Sequence, residues 1–205
     1  MTPLERDGYL VLSGAIPADW LGRLRAAFDA GVMASDRWPV PRGDDWRHAQ
    51  LDLDPTVQRV CRLPDVVEAV RAILRQPFFL SQVEGREPKA GVGAQQLHRD
   101  GDAGATAYAA AMVFLDDYGP ANGATRVVPA SHRESGTDES TAVTLSGAAG
   151  DIVVFDPNVL HGATTNTSGA ARRSLLVSYA AETARDDLSA SEALRGVRMN
   201  TRGLL

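Results

Sequence analysis

The residues with the clearest chemical potential lie in QQLHRDGD, residues 95–102. His98 stands two positions before Asp100, and residues i and i+2 of an extended chain point to one face. An imidazole and a carboxylate aimed at one point read either as ligands for a divalent cation or as a polar strand end beside a turn. The chain has only four histidines. A second one, His161, follows the strand-and-turn stretch GDIVVFDPNVLHGATTN, and Arg172 comes eleven residues later, at the head of RRSLLVSYA. Two imidazoles and one carboxylate form the facial set of non-haem iron(II) oxygenases, which leaves the opposite positions open for substrates and O2. The arginine adds a rigid fork for a carboxylate. His98 with Asp100 alone reads better as a chance surface pair; His161 and Arg172, in order, turn the balance to a metal centre.

Other residues carry weaker signals. Asp102 is an alternative ligand to Asp100, with the turn at Gly101 in between. Gln96, two before His98, shares its inward face if the strand is regular, so it touches co-substrate or substrate, or simply packs. Gln82 and Tyr108 are candidates of the same kind. His132, in PASH, reads as structural, bonding loop backbone after a strand. His48, in a Trp-rich loop, reads as a loop residue or as a wall above the site. GVGAQQ lacks the third glycine and the following helix of a dinucleotide fingerprint.

These residues need a scaffold. GYLVL (8–12) reads as a strand, and IPADWLGRLRAAFDAGVMAS as a helix with Trp20, Leu21, Leu24 and Phe28 at helical spacing. Residues 37–54 lack a period and read as an ordered loop. DPTVQRVCRLPDVVEAVRAIL reads as two helices, Pro64 opening the longer one. After Gln76 the texture changes to short β-type runs: FFLSQVEGR, AGVGAQQLH, AYAAAMVFLDD, ATRVVP, TAVTLS, DIVVFD and RRSLLVSYA. GPANG, GAAGD and DPNV punctuate them. Helices followed by many strands imply a β-sandwich or small barrel buttressed by N-terminal helices. The expected organisation is one domain over 1–205, with a mostly helical buttress at 1–76, a core at 77–180 and a polar tail at 181–205 that the pattern does not place.

Bulk properties narrow the function. The 205 residues carry a net charge of -5, with a pI near 5.3. That argues against nucleic acid, as does the lack of a basic cluster. Arg86, Lys89, Arg126 and Arg133 are scattered, which favours a small free metabolite over an acyl-CoA. The single cysteine, Cys61, allows no internal disulfide and reads as a buried thiol. With no apolar run for a signal peptide or membrane span, the expected compartment is the cytoplasm.

Four segments, in order, resemble the phytanoyl-CoA dioxygenase family of iron(II)- and 2-oxoglutarate-dependent oxygenases. LERDGYLVLSGAIP is similar to its opening, LHRD to its His-x-Asp, and DDYGPANGATRVVPASH to its Asn-Gly turn and Pro-x-Ser-His run. GDIVVFDPNVLHGATTNTSGAARRSLLVSYA is similar to its distal histidine and arginine region. The resemblance implies a double-stranded β-helix (jelly-roll, cupin-like) core. It implies His98, Asp100 and His161 as iron ligands, and Arg172 as partner of the far carboxylate of 2-oxoglutarate, with Arg173 its rival. Adjacent residues of a strand face opposite ways, so only one of the two arginines points inward. Ala163 stands where some relatives have serine, and the short chain implies trimmed loops over the substrate. The expected reaction is hydroxylation of a small molecule with O2, releasing succinate and CO2. Halogenation is not expected, because Asp100 fills the position that halogenating relatives leave small. The alternatives are a cupin-type metalloenzyme that does not use 2-oxoglutarate, and a jelly roll that binds metal or ligand without turnover.

Overall fold

The structure, a computed structural model, describes residues 1–34, 46–100, 107–133 and 138–205, with backbone alone for 32–34 and 46–51. The short helix α1 (Pro3–Asp7) opens on a capping box in which Thr2 and Glu5 satisfy each other's backbone N–H groups. It closes on Gly8, at φ 82°. A Cβ at Gly8 would lie 2.3 Å from Val159 and 2.5 Å from the His132 ring, so contact and backbone both demand glycine. Strand β1 (Tyr9–Leu12) follows, then α2 (Ala18–Gly31), β2 (Val32–Ala34), β3 (Trp46–Ala49), α3 (Pro55–Val60) and α4 (Pro64–Leu74). Pro55 and Pro64 both occupy first-turn positions, where a missing N–H costs nothing.

The jelly-roll part comprises β4 (Phe78–Arg86), β5 (Gln95–His98), β6 (Tyr108–Phe114), β7 (Thr125–Val127), β8 (Val143–Thr144), β9 (Ile152–Phe155), β10 (His161–Ala163) and β11 (Ser174–Ala181), followed by α5 (Arg185–Ser191). One sheet runs β1-β9-β6-β11-β4-β3-β2 and the other β5-β10-β7-β8. All pairings are antiparallel.

Strands β4, β6, β9 and β11 are largely buried on both faces, and alternation sorts their side chains. Val83, Val113, Leu175, Val177, Ile152 and Val154 join Leu24, Phe28, Val60, Val66 and Val70 in the core beneath the helices. Tyr179 sits in that core and donates its hydroxyl to Cys61 O at 2.8 Å, fixing the end of α3 to the sheet. Cys61 is buried there, and burial pushes its thiol pKa up to about 12, so it is an inert thiol. On the other face Met112, Phe114, Val153 and Phe155 form a second cluster between the sheets with Tyr118, Val127, Leu145 and Val159.

Two expectations need correction. Residues 46–53, expected as loop, form β3 and a 3-10 turn, Gln50–Leu53, and β3 pairs with β2 and β4. Pairing to a sheet edge uses backbone groups, so a segment without side-chain periodicity can join a ladder. Residues 37–45 lie outside the described residues, as does Asp102. Likewise Val32–Ala34, expected as the end of the helix that holds Trp20 and Phe28, form β2, which with β3 extends the sheet at the end opposite β1. The tail is tied down: the Asp52 carboxylate accepts from Arg198 N and Met199 N, and Leu205 N donates to Phe78 O.

Candidate metal centre

His98 and His161 are directly paired across β5 and β10. Their rings lie 4.6 Å apart, centre to centre. Asp100 lies beyond the end of β5, so strand parity does not place it. Its N–H donates to Pro157 O at 3.1 Å, in the turn before His161, and this returns its carboxylate to the two rings. Asp100 Oδ1 is 3.4 Å from His98 Nε2, and Oδ2 is 3.4 Å from His161 Nε2. One ligand atom from each of the three residues falls within 4.8 Å of the others.

The far side of each ring fixes its tautomer. His98 Nδ1 is 2.8 Å from Gln96 O, and His161 Nδ1 is 2.8 Å from Val159 O. A carbonyl only accepts, so each Nδ1 carries the proton and each Nε2 turns its lone pair to the centre. Neutral imidazoles and a carboxylate suit a divalent first-row ion. His161 is buried, with Phe155 edge-on at 5.3 Å, whereas Asp100 is exposed.

Arg99 and Ser131 hold this geometry, and the sequence reading missed both. Arg99 donates through Nε to Asn158 O and through Nη2 to Ser131 O, joining the His98–Asp100 segment to the turn before His161. Ser131 Oγ accepts from Leu160 N at 2.7 Å and donates to Val128 O. The loop-bonding role expected of His132 is shared with its neighbour: Ser131 ties the turn before His161, and His132 bonds the backbone of Glu5. His132 packs against the turn at Gly8; burial lowers its pKa, against the opposing attraction of Asp156.

The centre opens into a cavity of about 420 Å³ between the sheets. His98, Asp100 and His161 line it on one side, and Gln82, Glu84, Arg86, Met112 and Ser178 are among its other walls. Tyr108 also lines it, as anticipated along with Gln82. Gln96 does not: it is exposed, and Gln95 lines the cavity instead. A bulge is the cause. His161 pairs with His98 but Ala163 pairs with Gln95, so three steps on β5 match two on β10 and the alternation slips by one. Glu84, Arg86 and Gln95 were not anticipated. The signal was present in QVEGR, with polar residues at every second position of a strand otherwise apolar.

The two arginines divide as the alternation requires. Arg173 points outward: its Nε is 2.9 Å from Asp116 and its Nη1 2.8 Å from Asp29. Arg172 is 1% exposed, inside the sandwich, with its guanidinium carbon 4.5 Å from the Tyr118 ring centre. Tyr118 donates to Met112 Sδ, as does Thr125, and Met112 and Thr125 are walls of the cavity. Arg86 lines the cavity itself and bridges the sheets, donating to Gln95 Oε1 and Gly93 O at 2.7 Å each.

A family model described as phytanoyl-CoA dioxygenase (PhyH) matches residues 4–174. The chain is 26% identical to the L-proline trans-4-hydroxylase of Streptomyces griseoviridis, over 85% of this chain and 82% of that one. In fold it is similar to HygX from Streptomyces hygroscopicus, crystallised with nickel, 2-oxoglutarate and hygromycin B, with a TM-score of 0.73 at 17% identity over 87% and 85% of the two chains. AviO1 from Streptomyces viridochromogenes Tue57 superposes with a TM-score of 0.68 at 25% identity, over 88% of this chain and 92% of that one.

Proposed function

This chain belongs to the phytanoyl-CoA dioxygenase family, and from that premise we propose that it is an iron(II)- and 2-oxoglutarate-dependent oxygenase that hydroxylates a C–H bond of a small metabolite. The observation that carries the reading is the meeting of His98, Asp100 and His161 at the mouth of the cavity, their ligand atoms within 4.8 Å of one another. When bound, iron(II) would activate O2, the oxidant, with 2-oxoglutarate as the two-electron co-substrate that leaves as succinate and CO2, so that one oxygen atom of O2 would enter succinate and the other the substrate.

The chain's own residues bind, orient and shield. His98 and His161 would present Nε2 to the metal, each held by its Nδ1–H bond to a carbonyl. Asp100 supplies the anionic ligand, and its backbone bond to Pro157 O sets its reach. Arg172 receives the far carboxylate of 2-oxoglutarate. Its burial supports this role, and so does the commitment of Arg173 to Asp116 and Asp29. Phe155, Met112 and Leu176 give the cavity apolar surface that keeps water from the reacting atoms.

Hydroxylation is favoured over halogenation because Asp100 fills the position with an anionic oxygen, which leaves neither room nor charge balance for a halide. The proline hydroxylase relative supports that outcome. The cytoplasm is the proposed compartment; among the described residues no helix is long and apolar enough to cross a membrane.

The test is an anaerobic titration with iron(II) and 2-oxoglutarate, followed by a metabolite screen for succinate release. Succinate that depends on iron, on 2-oxoglutarate and on one library member supports the reading. A protein that binds metal but leaves 2-oxoglutarate unbound and unconsumed refutes it in favour of a cupin-type enzyme or a binding module. For a substrate found in that screen, product made in excess chloride should gain oxygen and no chlorine by mass spectrometry.

A further inference from the structure

Arg172 stands two residues before β11 begins, outside the regular ladder. A stack of two aromatic rings meets it there. Phe114 ends β6, and Tyr118 lies in the connection that follows. Their rings are stacked face to face, with centroids 3.7 Å apart and planes 5° from parallel. Phe114 thus occupies one face of the Tyr118 ring. The guanidinium carbon of Arg172 lies over the same ring at 4.5 Å, so it takes the other face. Arg172 makes other contacts too, and the ring adds a flat support on one side of the cation.

Every layer of the stack is anchored. Tyr118 N donates to Gly147 O at 2.8 Å, and Gly147 N donates to Tyr118 O at 3.1 Å, which bridges the two segments. A Cβ at Gly147 would lie 2.9 Å from the Phe114 ring and 2.7 Å from the Asp151 carboxylate, so the absence of a side chain lets the Phe114 ring lie there. The Tyr118 hydroxyl donates to Met112 Sδ at 3.4 Å, and Met112 is a wall of the cavity. Phe114 is 0% exposed and Tyr118 4%. Any large apolar residue could fill that space, but only a π face attracts a cation, and it does so most strongly where water is excluded. A carboxylate is best received by two parallel N–H bonds, which requires a guanidinium of set orientation. An arginine that had to be ordered at the moment of binding would subtract that entropy from the affinity.

We propose that Tyr118 is a positioning residue for the co-substrate: stacked on Phe114, it holds the Arg172 guanidinium in the orientation that receives the far carboxylate of 2-oxoglutarate. This rests on the oxygenase reading and adds to the same site a residue that touches neither metal nor substrate.

The experiment is calorimetric titration of 2-oxoglutarate into protein loaded anaerobically with iron(II). Tyr118→Leu should raise the dissociation constant roughly threefold to tenfold, with iron affinity unchanged. Tyr118→Phe keeps the ring and loses only the bond to Met112, so it should bind as the wild type does. In a double variant with Arg172→Ala, Tyr118→Leu should add no further loss, because its effect passes through the arginine. Tyr118→Met fills the space without a π face and carries the test if Tyr118→Leu does not fold. Wild-type affinity in a folded Leu or Met variant would overturn the proposal. So would a loss in Tyr118→Phe equal to that in Tyr118→Leu, or additive losses in the double variant, either of which gives the ring no part in setting the arginine. Wild-type protein that holds iron but no 2-oxoglutarate overturns the oxygenase reading itself, and this proposal with it.

Discussion

Strands β4, β11, β6 and β9 present two faces made from the same backbone. Toward the helices, Val83, Val177, Ala111 and Val154 stand side by side across the four strands, and every neighbour is apolar. Toward the second sheet, the adjoining rungs hold Gln82 with Ser178, Glu84 with Leu176, and Arg86 with Ser174. Period-2 alternation thus lets one element do two jobs. The helix face stabilises the fold by burying hydrocarbon, and the cavity face gives up part of that gain to hold polar groups in place. Substitutions on the two faces should therefore separate stability from ligand binding.

The largest effect is expected at the metal. His161→Ala removes one of three donors and should abolish stoichiometric iron(II) binding under anaerobic conditions, while the melting temperature of the metal-free protein changes little. Wild-type iron content in that variant would end the assignment. The reverse dissociation comes from Leu175→Ala, on the helix face and 0% exposed. It should cost about 2–5 kcal/mol of unfolding free energy by denaturant titration, with iron and 2-oxoglutarate binding intact in the folded protein.

Arg172→Ala should weaken 2-oxoglutarate binding by about tenfold to a hundredfold without loss of iron. The structure makes Arg86, a cavity wall, the sharper control. If Arg86→Ala gives that weakening and Arg172→Ala does not, the far carboxylate lies at the other arginine. The smallest effect is expected outside the cavity. Burial raises the Asp116 pKa, but hydrogen bonds and attraction from Arg173 outweigh it and leave the carboxyl below its usual range. Its stabilisation is therefore complete above the ordinary carboxylate range and fades as pH falls through the lowered folded value. Arg173→Ala should cost about 1 kcal/mol at neutral pH, flatten that acid limb, and leave 2-oxoglutarate binding alone.

Much of this division was legible in the chain. FFLSQVEGR marks β4 to the residue, because its aromatic and branched residues lie between Pro77 and Pro88, which bound the run on both sides. Pro64 marks the start of α4 because a missing N–H fits only there. The triad was legible because a metal needs rare residue types in a fixed order. Gln96 failed for a different reason: a bulge depends on the partner strand, and β10 has only three residues, too few to show a pattern of its own. Arg99 and Ser131 were hidden because backbone carbonyls far along the chain are their partners, and any sequence has carbonyls. The tail resisted for the same reason, since its anchors at Asp52 and Phe78 lie more than a hundred residues away.

Gly162, between the distal histidine and Ala163, has a consequence for how such a site can change. An added Cβ would lie 2.6 Å from Gln95 O and 2.8 Å from Gln96 O, the backbone of the bulge that carries His98. Any larger residue would have to push one ligand strand off the other, so this position cannot be tuned without detuning the ligands. Variation compatible with a working centre is channelled to the opposite sheet. A mutational library meant to redirect the enzyme should hold 162 constant and diversify 82, 84 and 178, where side chains project into space and the neighbouring backbone has nothing to yield.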